Sequence, residues 1–67
     1  MKIFAERFRA SLETNGISQS EFAKKVGLSV GAINDYCRGR REPSFDVFIL
    51  ICKVLGEKSD YLLGLED

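Results

Sequence analysis

Histidine and tryptophan are absent from this chain, proline occurs once and cysteine twice. The missing histidine removes the most common general base and the most common metal ligand. Cys37 and Cys52 lie fifteen positions apart, with no CxxC pair and no histidine to complete a zinc tetrad. Both read as small packed apolar residues of a reducing compartment. Paired catalytic carboxylates in a known motif and a glycine-rich phosphate loop are missing too, so no enzyme, metal, cofactor or small-molecule substrate is expected. The longest apolar run, Val47 to Cys52, holds six residues, against about 20 needed to cross a bilayer. The N-terminus meets Lys2, Glu6 and Arg7 too early to hold a secretory apolar core. A soluble, cytoplasmic chain without a membrane partner is expected, and 67 residues leave room for one domain, 1–67.

An excess of charge of either sign is also missing, since ten basic groups balance ten acidic ones. The balance is uneven along the chain. Residues 1–23 sum to zero; residues 24–41 carry Lys24, Lys25, Arg38, Arg40 and Arg41 against Asp35 alone, or +4. Residues 42–67 carry two basic groups against six acidic, or −4. Such a division can present a positive surface to a polyanion while the acidic end faces away.

β-alternation, internal repeats and low-complexity tracts do not occur, and the periodicity is helical throughout. Phe4, Ala5, Phe8 and Leu12 share one side of a first helix, with Glu6, Arg9 and Glu13 opposite. Asn15-Gly16 ends it. Ser18-Gln19-Ser20-Glu21 is a capping box, opening a short second helix with Phe22, Ala23 and Val26 inward and Gly27 at its end. Ser29 caps a third helix from Val30 to Arg38, closed by Gly39. Ser44 caps a fourth through Leu55, Gly56 ends it, and Ser59-Asp60 opens a last turn through Tyr61-Leu62-Leu63. The expectation is an all-α domain of five short helices.

The second and third helices, joined by Gly27-Leu28-Ser29, form a helix-turn-helix. Gln19, Ala23, Gly27, Ile33 and Tyr36 stand where the lambdoid phage repressor and Cro group of DNA-binding proteins has its corresponding residues. Ile17-Ser18-Gln19, Arg38-Gly39-Arg40-Arg41-Glu42-Pro43-Ser44 and Tyr61-Leu62-Leu63-Gly64 extend the match. From about Phe4 to Leu65 the chain resembles that group. The resemblance implies a lambda-repressor-like fold and a transcriptional regulator of bacterial or phage type, a repressor in the main, that binds duplex DNA as a homodimer. It also implies that the outer face of the third helix enters the major groove.

Helical angles put Ala32, Ile33 and Tyr36 of that helix on the core side and Val30, Gly31, Asn34, Asp35 and Arg38 on the other. Asn34 has the chemistry to pair with adenine and Val30 to pack on a thymine methyl. Gly31 leaves room for a close approach. Asp35 repels phosphates unless it accepts from cytosine N4 or pairs with Arg38 at i+3. Gln19, Ser29, Arg38, Arg40 and Arg41 are the candidates for the DNA backbone, each neutralised phosphate changing the salt dependence of log K by about 0.9.

The fourth helix is apolar on nearly every side. Phe45, Phe48, Ile49, Cys52 and Leu55 form the arc expected to face the core, leaving a second arc of Val47, Leu50, Ile51 and Val54. Exposed apolar patches mark contact surfaces, so Val47, Leu50 and Val54, with Tyr61, Leu62 and Leu65, are the expected dimer interface. An antitoxin- or antirepressor-like interaction module with weak DNA binding is the alternative, favoured by Gly31, Asp35 and the zero net charge.

Overall fold

Local signals set where each helix begins and ends. The computed structural model describes residues 2–66; Met1 and Asp67, the ends of the expected domain, lie outside the described residues. Five helices follow in order: α1 (Lys2–Thr14), α2 (Gln19–Val26), α3 (Val30–Arg38), α4 (Phe45–Leu55) and α5 (Ser59–Leu63). No described residue lies in a strand. Ser29 Oγ accepts from Ala32 N at 3.1 Å, and Ser44 Oγ from Val47 N at 3.3 Å. Each hydroxyl satisfies an amide that the first helical turn leaves without a partner. The chain then reverses on left-handed glycines; Gly27 has φ 71° and Gly39 φ 73°, values a Cβ makes costly.

The capping box before α2 is complete. Ser18 Oγ accepts from Glu21 N, and Glu21 Oε1 accepts from Ser18 N, both at 3.1 Å. The Ser18 backbone N–H, then its side chain, and the nearby Lys25 and Lys24 hold the Glu21 carboxyl below its usual 4.5. A depressed carboxylate pKa contributes stability above the unfolded value, and that stability is lost as pH falls. Thermal unfolding of the wild type is therefore expected to drop more steeply below about pH 4.5 than that of Glu21→Gln, whose amide does not titrate. Parallel curves would show that the box stabilises α2 without using its charge.

Packing follows the amphipathic faces. Phe4, Phe8 and Leu12 of α1, Phe22, Ala23 and Val26 of α2, and Ile33, Tyr36 and Cys37 of α3 meet in one core with Ile51 and Leu62. Aromatic rings connect three helices: Phe4 lies 5.4 Å from Phe8 and 5.6 Å from Phe48, and Phe8 lies 5.3 Å from Phe22, edge to face. Such pairs contribute about 0.5–1.5 kcal/mol each beyond their burial. Both cysteines are packed, Cys37 buried and Cys52 half-buried, and desolvation raises both thiol pKa values. No described helix is long and apolar enough to cross a membrane.

Two expectations are corrected here. α4 turns a different side inward: Phe45 is 88% and Ile49 51% exposed, whereas Ile51, expected on the outer arc, is 0% exposed. The buried face is rotated roughly a quarter turn from the expected arc and lies opposite Asp46 and Lys53, the two polar residues of α4, which at i and i+7 share one side of the helix. Leu62 is also fully buried, so it belongs to this chain's own core and not to a surface. Val47, Val54 and Tyr61 are half-buried against that core. Of the six residues expected at a dimer interface, only Leu50 and Leu65 are exposed.

Candidate nucleic-acid interface

The face built by α2 and α3 begins with the angle between them. Ala23 of α2 is buried in the core that it shares with Ile33, Tyr36 and Cys37 of α3, and its small side chain leaves room for close packing. Ile33, Tyr36 and Cys37 anchor α3 from beneath, so Val30, Gly31 and Arg38 stand exposed while Asn34 and Asp35 are half-exposed. Val30 keeps 47% of its surface open to solvent, an apolar side chain available to a groove. The division expected from helical angles holds at its extremes, with Ile33 and Tyr36 buried and Val30, Gly31 and Arg38 exposed, whereas Ala32, Asn34 and Asp35 are all intermediate.

Asn34 is tied to the start of α2. Its Nδ2 donates to Gln19 Oε1 at 3.2 Å, which leaves one Nδ2 hydrogen and the Oδ1 acceptor for other partners. Gln19 therefore both opens α2, whose first amides favour anions, and bears on the central polar residue of α3. Ser29, expected at the backbone, uses its oxygen lone pair to cap α3, and a hydroxyl hydrogen still remains to donate.

Arg38, Arg40 and Arg41 gather where α3 ends. Asp35 pairs with Arg40 at 3.8 Å and not with Arg38; the reversal at Gly39 carries Arg40 back over the last turn. The Arg41 guanidinium sits 5.6 Å from the Tyr36 ring centroid, within cation–π range. Arg38 shares a cleft of about 380 Å³ with Lys2, Ala5, Glu6, Arg9 and Gly39. This edge holds more positive than negative groups, as the charge count over residues 24–41 implies.

Periodicity does not disclose what braces α3. Arg9 Nη1 donates to the Cys37 carbonyl at 2.5 Å, a cation at a helix C-terminus where the dipole favours it. A Cβ on Gly39 would stand 3.6 Å from Ala5 Cβ, so α1 lies close against that turn. On the far side of α1, Arg7 donates to the Tyr61 carbonyl at 2.6 Å and to the Glu66 carbonyl, and its guanidinium lies 4.7 Å from the Tyr61 ring. Ser11, buried on α1, donates to Glu57 Oε2 at 3.0 Å. A polar residue on an apolar face was the only sequence signal of that link.

A family model described as helix-turn-helix matches residues 8–62 of this chain, the span that contains the whole face. The chain belongs to that helix-turn-helix family. Three proteins of Bacillus subtilis (strain 168) are similar to it. The HTH-type transcriptional regulator YazB, named as uncharacterized, is 34% identical over 61 residues, covering 91% of this chain and 88% of YazB. The HTH-type transcriptional regulator ImmR is 26% identical over 62 residues, 92% of this chain and 49% of ImmR. YobD, also named as an uncharacterized HTH-type transcriptional regulator, is 22% identical over 65 residues, 97% of this chain and 58% of YobD. The helix-turn-helix chain thus spans about half the length of YobD and ImmR and most of YazB. No solved structure matches it.

Proposed function

We propose that this helix-turn-helix chain is a cytoplasmic transcriptional regulator that binds specific duplex DNA as a homodimer, lays α3 in the major groove and represses by occupying its site. The observation that carries the reading is the outer face of α3, with Val30 exposed and Asn34 half-exposed between the start of α2 and three arginines. The relatives' names, all HTH-type transcriptional regulators, support it. Val30, Gly31, Asn34 and Asp35 face the base edges, and Gln19, Ser29, Arg38 and Arg41 take backbone phosphates. Arg40 lies on the same edge with its charge matched by Asp35.

One α3 reads only a few base pairs, and a two-fold dimer doubles that number with half-sites about 34 Å apart. The exposed apolar residues suited to such a contact are Leu50 and Leu65, joined by Phe45 and Ile49. Beside Phe45 lies a cleft of about 270 Å³ lined by Pro43, Phe48, Ser59 and Leu63, apolar surface suited to protein contact.

Selection of bound sites from a random duplex pool tests the proposal. A two-fold symmetric site with half-sites about one helical turn apart is expected; failure to enrich any sequence overturns specific binding. On the selected site Asn34→Ala is expected to weaken binding by about 1–3 kcal/mol, with little effect on sites already altered at the base pair it reads. An equal loss on every duplex would remove Asn34 from the base-reading set.

A further inference from the structure

The turn that ends α3 brings two opposite charges together through its backbone. Gly39 N donates to the Tyr36 carbonyl at 3.2 Å, and Arg40 N donates to the Asp35 carbonyl at 2.9 Å. These are the two hydrogen bonds of a Schellman motif, which sets the residue after the left-handed glycine beside the one five positions earlier. An apolar contact frequently joins those two positions. Here they hold Arg40 and Asp35, whose Nη1 and Oδ1 lie 3.8 Å apart. Asp35 is also the only acid among residues 24–41.

We infer that Asp35 acts through Arg40, neutralising this one arginine in place and so holding down the affinity of the chain for duplex DNA of any sequence. The inference rests on the DNA-binding reading above and adds a regulator of its strength. Attraction between arginine and phosphate is independent of sequence and supplies most of non-specific binding. A carboxylate carried next to one arginine lowers that contribution without occupying the base-reading side chains Val30 and Asn34. The two side chains are 60% and 30% exposed, so the pair is solvated and contributes little to folding. Its effect falls on the charge offered to DNA. Asp35, which looks like a residue that opposes the function, is on this account the partner that the turn assigns to Arg40.

The test is a double-mutant cycle on salt dependence, with a random-sequence duplex of about 20 base pairs as probe. Wild type, Asp35→Asn, Arg40→Gln and the double variant are titrated from low to moderate salt, after circular dichroism shows each to be helical. Asp35→Asn is expected to tighten binding at low salt and to steepen the slope of log K against log salt by about 0.9 per bound protomer. In the Arg40→Gln background, where Asp35 has lost this partner and acts on phosphates only as a bare charge, the same substitution is expected to give a clearly smaller gain and no steepening of the slope. An equal gain with equal steepening there overturns the inference, because Asp35 would then act on phosphates directly and not through Arg40. An Asp35→Asn slope equal to that of wild type overturns it as well. Absence of salt-dependent binding by the wild type is distinguishable from both: it overturns the DNA-binding reading itself and this inference with it.

Discussion

Leu62→Ala is expected to lower the melting temperature of the domain by about 15 °C. Leu62 is fully buried among residues of α1, α2, α3 and α4, and α5, which carries it, packs on α1. Truncating a buried leucine removes its transfer free energy and leaves a cavity, at a cost of about 2–5 kcal/mol. A chain of 67 residues has roughly 3–10 kcal/mol of total stability, so a cost near 3 kcal/mol removes a large share of it. At this size each kcal/mol corresponds to about 4–8 °C. Thermal unfolding followed by circular dichroism checks the value. A variant that melts with the wild type yet sediments as a smaller species would return Leu62 to the interface set first expected for it.

Leu50→Glu is expected to do the opposite, leaving the fold intact and weakening operator binding by about 100-fold or more. Leu50 is 37% exposed and is absent from the core cluster. Substitution at such a position changes stability by about 1 kcal/mol or less. A two-fold contact is isologous, so one substitution alters both sides of the interface at once, and two carboxylates across the axis repel. A monomer loses the base contacts of one half-site. Two such contacts at about 1–3 kcal/mol each amount to about 2–6 kcal/mol, a range that contains the roughly 2.8 kcal/mol of a 100-fold loss. Sedimentation and a mobility shift on the selected site check it together. A helical variant that remains a dimer at micromolar concentration would move the interface away from α4.

Leu50 and Leu62 carry the same side chain, and the sequence placed both at one surface. Their different fates mark where local rules end. Ser18 with Glu21, Ser29, Ser44 and the glycines after each helix act across a single turn of chain, so the helix boundaries were legible without any knowledge of packing. The inward faces of α1, α2 and α3 were legible as well, because polar residues occupy their opposite sides and leave one solution. The outer face of α3 followed from the same arithmetic, and with it Val30, Gly31, Asn34 and Arg38.

The orientation of α4 did not follow. Apolar residues run almost all the way round it, an arc counted from Phe45 points to the wrong side, and only Asp46 and Lys53, together on one side, mark the outward face opposite Ile51. α5, with five residues, is too short for periodicity to separate a buried side from an exposed one. Arg9 on the Cys37 carbonyl and Asn34 on Gln19 join residues 28 and 15 positions apart, a separation that no window of one helix spans. Asp35 is the intermediate case. Both residues of its pair are close in the chain, but the choice of Arg40 over Arg38 required the left-handed turn at Gly39 to bring the chain back. By itself the sequence determined the helices, their ends and the inward faces of α1, α2 and α3. Tertiary structure decided which apolar surface is core, which stays exposed, and which charges at the end of α3 are matched, because each of those depends on free energies shared between segments.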